Sequence, residues 1–263
     1  MKLSIITVNR NNAIGLEKTI TSVIHQDDKK FEYIIIDGAS TDNSVDVIKK
    51  YESNITYWIS EKDTGIYNAM NKGINSSHGD YCLFLNSGDN LYNSELTHFF
   101  NSSEFDSDIV YGDLLVNAAC SEKVIRFPDK LDAKYFFKSY LPHPASFIKR
   151  SLLNSLGQYD EKIRISSDHD FFLRALVCKN ASYTHISKII SVFYYDGISS
   201  DINNQKKISD ERNNSFEKNL PMFYSEYNHW LNIEKDSLMQ FVITNRNNQL
   251  LRFFLKILRK IIR

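Results

Sequence analysis

Ile34-Ile35-Ile36-Asp37-Gly38-Ala39-Ser40-Thr41-Asp42 is an apolar, β-prone run that stops abruptly in a polar loop, with a carboxylate at the turn. Tyr81-Cys82-Leu83-Phe84-Leu85-Asn86-Ser87-Gly88-Asp89 repeats the arrangement. Each reads as a buried strand ending in an acidic loop. In open α/β sheets, ligands bind in the crevice outside the carboxyl ends of the strands. Two acidic strand ends in the N-terminal third of one chain therefore converge on one ligand. A carboxylate there accepts hydrogen bonds from a nucleobase or ribose, or holds a hard divalent cation against phosphate oxygens. The pair points to a nucleotide-phosphate ligand.

Outward from these two stretches, strand and helix patterns alternate. Leu3–Val8 is a β-branched strand, and a helical pattern follows to about His25, with Leu16, Ile20, Val23 and Ile24 on one side. Asp42 or Ser44 caps a helix running to about Tyr51, Ile55–Ile59 is a short strand, and Asp63-Thr64-Gly65 leads into a helix ending near Ile74. This alternation predicts an α/β fold, a mostly parallel central sheet with helices on both faces. Beyond Asp108–Tyr111 the pattern loosens into strand-like pieces at Leu114–Val116 and Val124–Phe127, then a segment with Pro142 and Pro144. A helix is expected over Asp168–Cys178, a polar loop around Ser199–Asn204, and mainly helix from Gln205 onward.

The 263 residues contain 32 basic and 32 acidic side chains, so no net field draws the molecule to nucleic acid. Cys82, Cys120 and Cys178 are odd in number and lack metal-ligand spacing; they read as packed thiols in a reducing compartment. The N-terminal apolar run is too short for a signal peptide, and no uninterrupted apolar stretch spans a bilayer. A cytoplasmic protein is expected. From Arg246 to Arg263 there are six basic residues and no acidic one. On a helical projection the apolar residues of this tail fill roughly 200° of arc and the basic ones the remainder. Such a helix suits an anionic membrane surface, peripheral on the inner face of the plasma membrane. The alternative is packing on the protein's own body or on a second subunit.

Taken singly, the chemistry-bearing residues have two readings each. Asp37 binds a base or ribose, or closes an Asx-turn with Ser40, Thr41 and Asp42. Asp89 holds a metal-bound nucleotide, for which one carboxylate suffices because phosphates and waters complete the octahedron, or it is a turn aspartate. Asp63 caps the helix after Gly65, or the free N–H groups at that helix start face a nucleotide. In Ser167-Asp168-His169-Asp170, Asp168 is an exposed general base for an acceptor hydroxyl or an N-cap, and Asp170 favours the helix dipole. His143, between two prolines, lines a site or shapes a loop.

Their joint order decides. Ser4-Ile5-Ile6-Thr7-Val8-Asn9, then Asp37 to Asp42, then Glu61-Lys62-Asp63-Thr64-Gly65-Ile66-Tyr67-Asn68-Ala69-Met70-Asn71-Lys72-Gly73, then Leu85-Asn86-Ser87-Gly88-Asp89, together resemble family 2 glycosyltransferases over about residues 3 to 200. The resemblance implies a GT-A fold in 1–204, with a nucleotide-sugar half (1–115) and an acceptor half (116–204), followed by a helical extension (205–263). It implies inverting transfer, hexosyl or N-acetylhexosaminyl, from a nucleotide-diphospho-sugar donor to a glycan or lipid-linked acceptor, as in surface polysaccharide synthesis. It puts Thr7, Asn9, Asp37 and Asp63 around the nucleoside and makes Asp168 the catalytic base. Ser87-Gly88-Asp89 stands in place of the family's Asp-x-Asp, leaving Asp89 as ligand to Mn²⁺ or Mg²⁺ with Ser87 beside it. Asn68 stands where relatives often carry Asp, and Tyr195-Asp196-Gly197-Ile198-Ser199-Ser200 is similar to a later Gly-x-Ser loop. A sugar-phosphate nucleotidyltransferase, a non-catalytic nucleotide-sugar-binding protein and a purely structural partner are the rival readings.

Overall fold

In the computed structural model, which describes residues 2–118, 121–194, 197–245 and 248, the chain is organised around β1 (Leu3–Asn9), whose seven residues are all buried. α1 (Ala13–Ile24) starts where Asn12 accepts the Gly15 amide. It packs Leu16, Ile20 and Val23 inward and returns the chain to β2 (Phe31–Asp37). α2 (Ser44–Lys50), β3 (Tyr57–Ser60), α3 (Ile66–Asn75) and β4 (Tyr81–Asn86) complete the alternating half. One carboxylate starts both early helices: Asp42 accepts the Ala13 amide with Oδ2 and the Ser44 amide with Oδ1.

The second half comprises β5 (Asn90–Leu91), α4 (Leu96–Ser102), β6 (Ile109–Ala118), β7 (Ser121–Ile125), α5 (Ala133–Lys138), β8 (Ser146–Lys149), α6 (Arg150–Ser155), α7 (Ser167–Phe172) and β9 (Tyr183–Tyr194). Among the described residues the sheet order is β3-β2-β1-β4-β8-β6-β9-β5, with β7 beside β6. β3, β2, β1 and β4 run parallel, β8 is antiparallel to both β4 and β6, and β9 is parallel to β6. The sheet is therefore mixed, its parallel half carrying the two acidic strand ends. By contacts, Met1–Ser215 forms one unit and Phe216–Arg263 a second. α8 (Gln205–Asn219) crosses that boundary, and α9 (Pro221–Lys235) and α10 (Ser237–Thr244) belong to the second unit. No described helix is long and apolar enough to cross a membrane.

Several expectations are corrected. Asp108–Tyr111 and Leu114–Val116 belong to one strand, β6, whose register against β9 shifts on either side of Asp113. The shift follows Gly112, where a side chain would collide with Ile190 and the Lys188 carbonyl. β8 and β9 are strands that the sequence pattern does not announce: β8 is short and follows two prolines, and β9 lacks alternating burial. The expected helix over Asp168–Cys178 ends its α-helical part at Phe172 and continues as a wider π-type turn over Leu173–Cys178. Cys82 is buried, which pushes its thiol up to about 12, but Cys178 is exposed rather than packed. Cys120 and the basic tail, apart from Asn248, lie outside the described residues.

The edge of the sheet away from the acidic loops is fastened by Glu32 at the start of β2. Burial works against its charge, but hydrogen bonds from the Ser4 hydroxyl and the His78 and Gly79 amides outweigh it and hold the carboxyl below its ordinary 4.5. A carboxyl depressed on folding stabilises the protein above its unfolded pKa and loses that effect as pH falls through the folded value. Glu32→Gln should cost about 1–3 kcal/mol at neutral pH. The gap in Tm between the variant and the parent should close in thermal melts as pH drops below 4.5.

Candidate active site

β1 lies between β2 and β4, parallel to both, so the strand order 3-2-1-4 reverses its direction of growth at the β1/β4 boundary. Such a reversal leaves a crevice at the carboxyl ends of the two strands. Here that crevice is a cavity of about 380 Å³, with Asn9 of β1 and Asn86 of β4 on its wall beside Arg10, Asp63, Ser87, Asp89 and Asp168. Residues as far apart in the sequence as Val8 and Ser199 are thus brought onto one surface.

Thr7 and Asp37 are not brought there. The Thr7 hydroxyl is buried 3.1 Å from the Tyr33 hydroxyl. Asp37 is buried under the cavity wall and saturated. Oδ1 accepts from Asn9 Nδ2 (2.7 Å) and Ser40 Oγ (2.6 Å), and Oδ2 from the Ser40 amide (2.9 Å) and Ser60 Oγ (2.6 Å). The bond from Asn9 Nδ2 fixes the orientation of that amide. It leaves Asn9 Oδ1 buried without a hydrogen-bond partner on a residue that lines the cavity, an acceptor suited to a ligand N–H. Asp63 is placed by the Gly65 amide (3.0 Å), and Arg10 lies 3.9 Å from it. Gly38 permits this, because a Cβ there would overlap the Asp63 carboxylate.

Asp89 is reached through Gly88, whose φ of 113° favours glycine. The turn is held by Asn12, which donates to the Ser87 carbonyl at 3.0 Å, and by Thr19, which accepts the Gly88 amide at 2.9 Å. Its donors are oxygens, one carboxylate and one hydroxyl, the hard set that Mg²⁺ and Mn²⁺ take. Among the described residues no three His, Cys, Asp or Glu side chains form a metal cluster. The donor set thus fits an ion that arrives with a diphosphate and not one held by protein alone.

α7 separates the two carboxylates that flank His169. Asp170 turns into the core, 2.7 Å from Arg174 Nε one turn later and accepting from Ser215 Oγ at 2.6 Å. Asp168 faces the cavity. Its Oδ1 lies 2.9 Å from the Tyr67 hydroxyl, which also reaches the Ile165 carbonyl at 2.6 Å. Burial, and then the Asp168 charge, push the Tyr67 phenol well above its usual range, so it stays protonated and donates. Oδ2 of Asp168 has no hydrogen bond among the described residues. His169 is buried, with Nε2 3.2 Å from the Phe136 carbonyl, and does not line this cavity. His143 lines the cavity, stacked on Phe84, and burial lowers its pKa so that the ring stays neutral.

A second cavity, about 320 Å³, lies against the first. Asp168, His143 and Phe193 belong to the walls of both.

This geometry has relatives. Residues 4–156 match the sequence profile of Glycosyl transferase family 2, more than half of the chain. The chain belongs to glycosyl transferase family 2. A "PGL/p-HBAD biosynthesis glycosyltransferase" of Mycobacterium tuberculosis is 30% identical over 232 residues, covering 83% of this chain and 84% of that one. An "uncharacterized glycosyltransferase" of the same species is 34% identical over 184 residues, 67% of this chain and 70% of that one. Among solved structures, S. aureus TarS 1-349 in complex with UDP-GlcNAc aligns with a TM-score of 0.67 at 18% identity, over 84% of this chain and 68% of that one. A Pyrobaculum calidifontis mannosyltransferase in complex with GDP-Man and Mn²⁺ aligns at 0.61 and 13%, over 82% and 63%. These likenesses bear out the GT-A fold.

Within this family 2 chain, several supporting residues were not singled out by the sequence reading. Glu211 of α8 accepts the amides of Arg164 (3.0 Å), Ile165 (2.9 Å) and Ser166 (3.0 Å), fixing the entry to α7 and hence Asp168. Nothing local signals this, since donors and acceptor are over 40 residues apart. Asn68 donates to Glu161 Oε2 at 3.0 Å, where an aspartate would set two carboxylates face to face. For Asp170, the arginine four residues on was a readable sign of structural duty. Glu211→Ala should leave three amides without their acceptor and cost about 1–3 kcal/mol. In steady-state kinetics it should lower kcat more than it raises donor KM, because the freed segment leads directly into Asp168, whereas of the donor wall only Arg164 and Ile165 are tied to α8.

Proposed function

We propose that this chain is an inverting glycosyltransferase that moves a sugar from a nucleotide-diphospho-sugar to a hydroxyl of a glycan or lipid-linked acceptor, in surface polysaccharide synthesis at the inner face of the plasma membrane. One observation carries the reading: Asp168 stands in the wall common to two adjoining cavities, while Asp63 and Asp89 line only one of them. A transferase needs a base between donor and acceptor, and a protein that only bound nucleotide sugar would not. The bound UDP-GlcNAc and GDP-Man of the structural relatives support the donor class.

In this reading the nucleoside end of the donor lies along Asn9, Arg10 and Asp63, and the diphosphate at the Ser87–Asp89 turn. Asn9 Oδ1 accepts from a base N–H. Mn²⁺ or Mg²⁺ at Asp89 would neutralise charge on the departing diphosphate. Asp168 takes the proton of the acceptor hydroxyl as that oxygen attacks the anomeric carbon. The carbon–oxygen bond to the diphosphate breaks on the opposite face, its electron pair leaving with the phosphate, and one displacement inverts the centre. Tyr67 donates to Oδ1 and leaves Oδ2 for the incoming proton. His143, neutral, adds no positive charge that would weaken the base. The basic tail supports a membrane-borne acceptor.

The test is release of free nucleoside diphosphate from a panel of nucleotide sugars, with and without Mn²⁺, with a membrane extract as acceptor source. Asp168→Asn should lower turnover by about 10²–10⁴-fold while donor still binds. Asp89→Ala should abolish the response to Mn²⁺. Absence of donor binding in the parent protein would overturn the assignment. Tyr67→Phe removes one hydrogen bond to the base and should lower kcat by about 10-fold at unchanged donor affinity. The same release assay, paired with calorimetric donor titration, measures both.

A further inference from the structure

The second cavity has an apolar part, walled by Leu114, Val116, Leu141 and Ile208 with the Tyr140 ring, and a polar part that includes Asp168, His143 and His169. Two polar groups in it keep hydrogen-bonding capacity that the protein does not use. Arg212 of α8 holds its guanidinium 5.7 Å from the Tyr140 ring centroid, and its Nε is buried without a hydrogen-bond partner. Among the described residues no carboxylate lies within 4.0 Å of it. Ser166, 4% exposed, likewise leaves its buried Oγ unbonded on the same cavity wall.

Arg212 is partly buried, and a buried N–H such as its Nε is ordinarily paired, so its acceptor is one that a ligand can supply. Glu211, the preceding residue, is committed to three amides at the entry to α7, so α8 is anchored against the segment that carries Asp168. The arginine therefore stands at a fixed place in the cavity that Asp168 shares. Asp170 does not serve as its counter-ion, being bonded to Arg174 and Ser215. The fork of a guanidinium matches an oxyanion, and the Ser166 hydroxyl is a second donor. Aliphatic walls and an aromatic ring suit a ring or chain attached to that oxyanion.

We infer that Arg212 and Ser166 form an acceptor subsite for an oxyanion, a phosphate or carboxylate carried on an apolar body. The acceptor of this enzyme is then an anionic amphiphile rather than a neutral sugar. The inference deepens the transferase reading and rests on it for the word acceptor. The oxyanion site itself can be tested without turnover.

The experiment measures binding of phenyl phosphate, benzoate and benzyl alcohol to the full-length protein by ligand-observed NMR in the presence of saturating UDP. Calorimetry first fixes the UDP affinity of each variant. Expected is a preference of about 10-fold or more for one of the anions over benzyl alcohol. That preference should be lost in Arg212→Met, partly kept in Arg212→Lys, and reduced in Ser166→Ala. UDP affinity should change less than about 2-fold across the set. Whichever anion binds more tightly identifies the oxyanion. Equal anion binding in the parent and Arg212→Met would overturn the proposal, as would absence of any preference over benzyl alcohol, or displacement of the anion by UDP. Arg212→Lys keeps the charge on α8 and controls for misfolding. Failure of UDP to bind the parent would instead count against the donor reading, and Arg212-dependent anion binding would still stand.

Discussion

The parallel half of this fold is held open at one end by a single buried carboxylate. Asp37 gathers Asn9 from the end of β1, Ser40 from its own turn and Ser60 from the end of β3, four hydrogen bonds between 2.6 and 2.9 Å. An ionised carboxylate withdrawn from water is tolerated only when its lone pairs are satisfied, and here protein groups supply the donors. The consequence is geometric. With three strand ends tied beneath it, the loop after Gly38 passes close under Asp63, and the amide of Asn9 is oriented with its oxygen left over for a ligand. Asp37 shapes the cavity through Asn9 and the wall it fixes.

The same residue type thus performs different physical tasks within one cavity's neighbourhood. Asp37 and Asp170 are saturated and structural, one by neutral donors and the other by Arg174 and Ser215. Asp63 and Asp168 keep unspent acceptor capacity on the cavity, and Asp89 stands on a turn that glycine shapes. What separates Asp168 from Asp170 is which side of α7 meets the core, and the two residues are only two positions apart.

Much of this was legible in the chain itself. The strand runs before Asp37 and Asp89 are uniformly apolar because both faces of a parallel sheet are covered, and they end sharply because the loops beyond must be polar. The order of four motifs then pointed to the family. The sequence was less informative where pairing is set at long range. β9 runs twelve residues without alternating burial, so periodicity has nothing to register. β8 is four residues long and follows a proline-bearing turn. Thr7 and Asp37 carried a motif-borne expectation of lining the nucleoside, yet they sit one layer behind, since a motif reports which residues travel together and not which atoms face a ligand. Glu211 was invisible because its amides lie far away in sequence. The basic tail carried a clear pattern, and its reading rests on that pattern alone.

The wall that the two cavities hold in common has a consequence for how such an enzyme diversifies. Residues lining only the first cavity come mainly from the ends of β1 and β4 and from Asp63 through the start of α3, joined by Arg164 and the end of β9. Residues peculiar to the second come mainly from β6, the segment before β8, the start of α7 and α8. On the proposed function, substitutions in the latter group retune acceptor choice while leaving donor recognition intact, so descendants of one ancestor drift apart in what they decorate while still drawing on one pool of activated sugar. Asp168, His143 and Phe193 have no such freedom, because each answers to both neighbours at once.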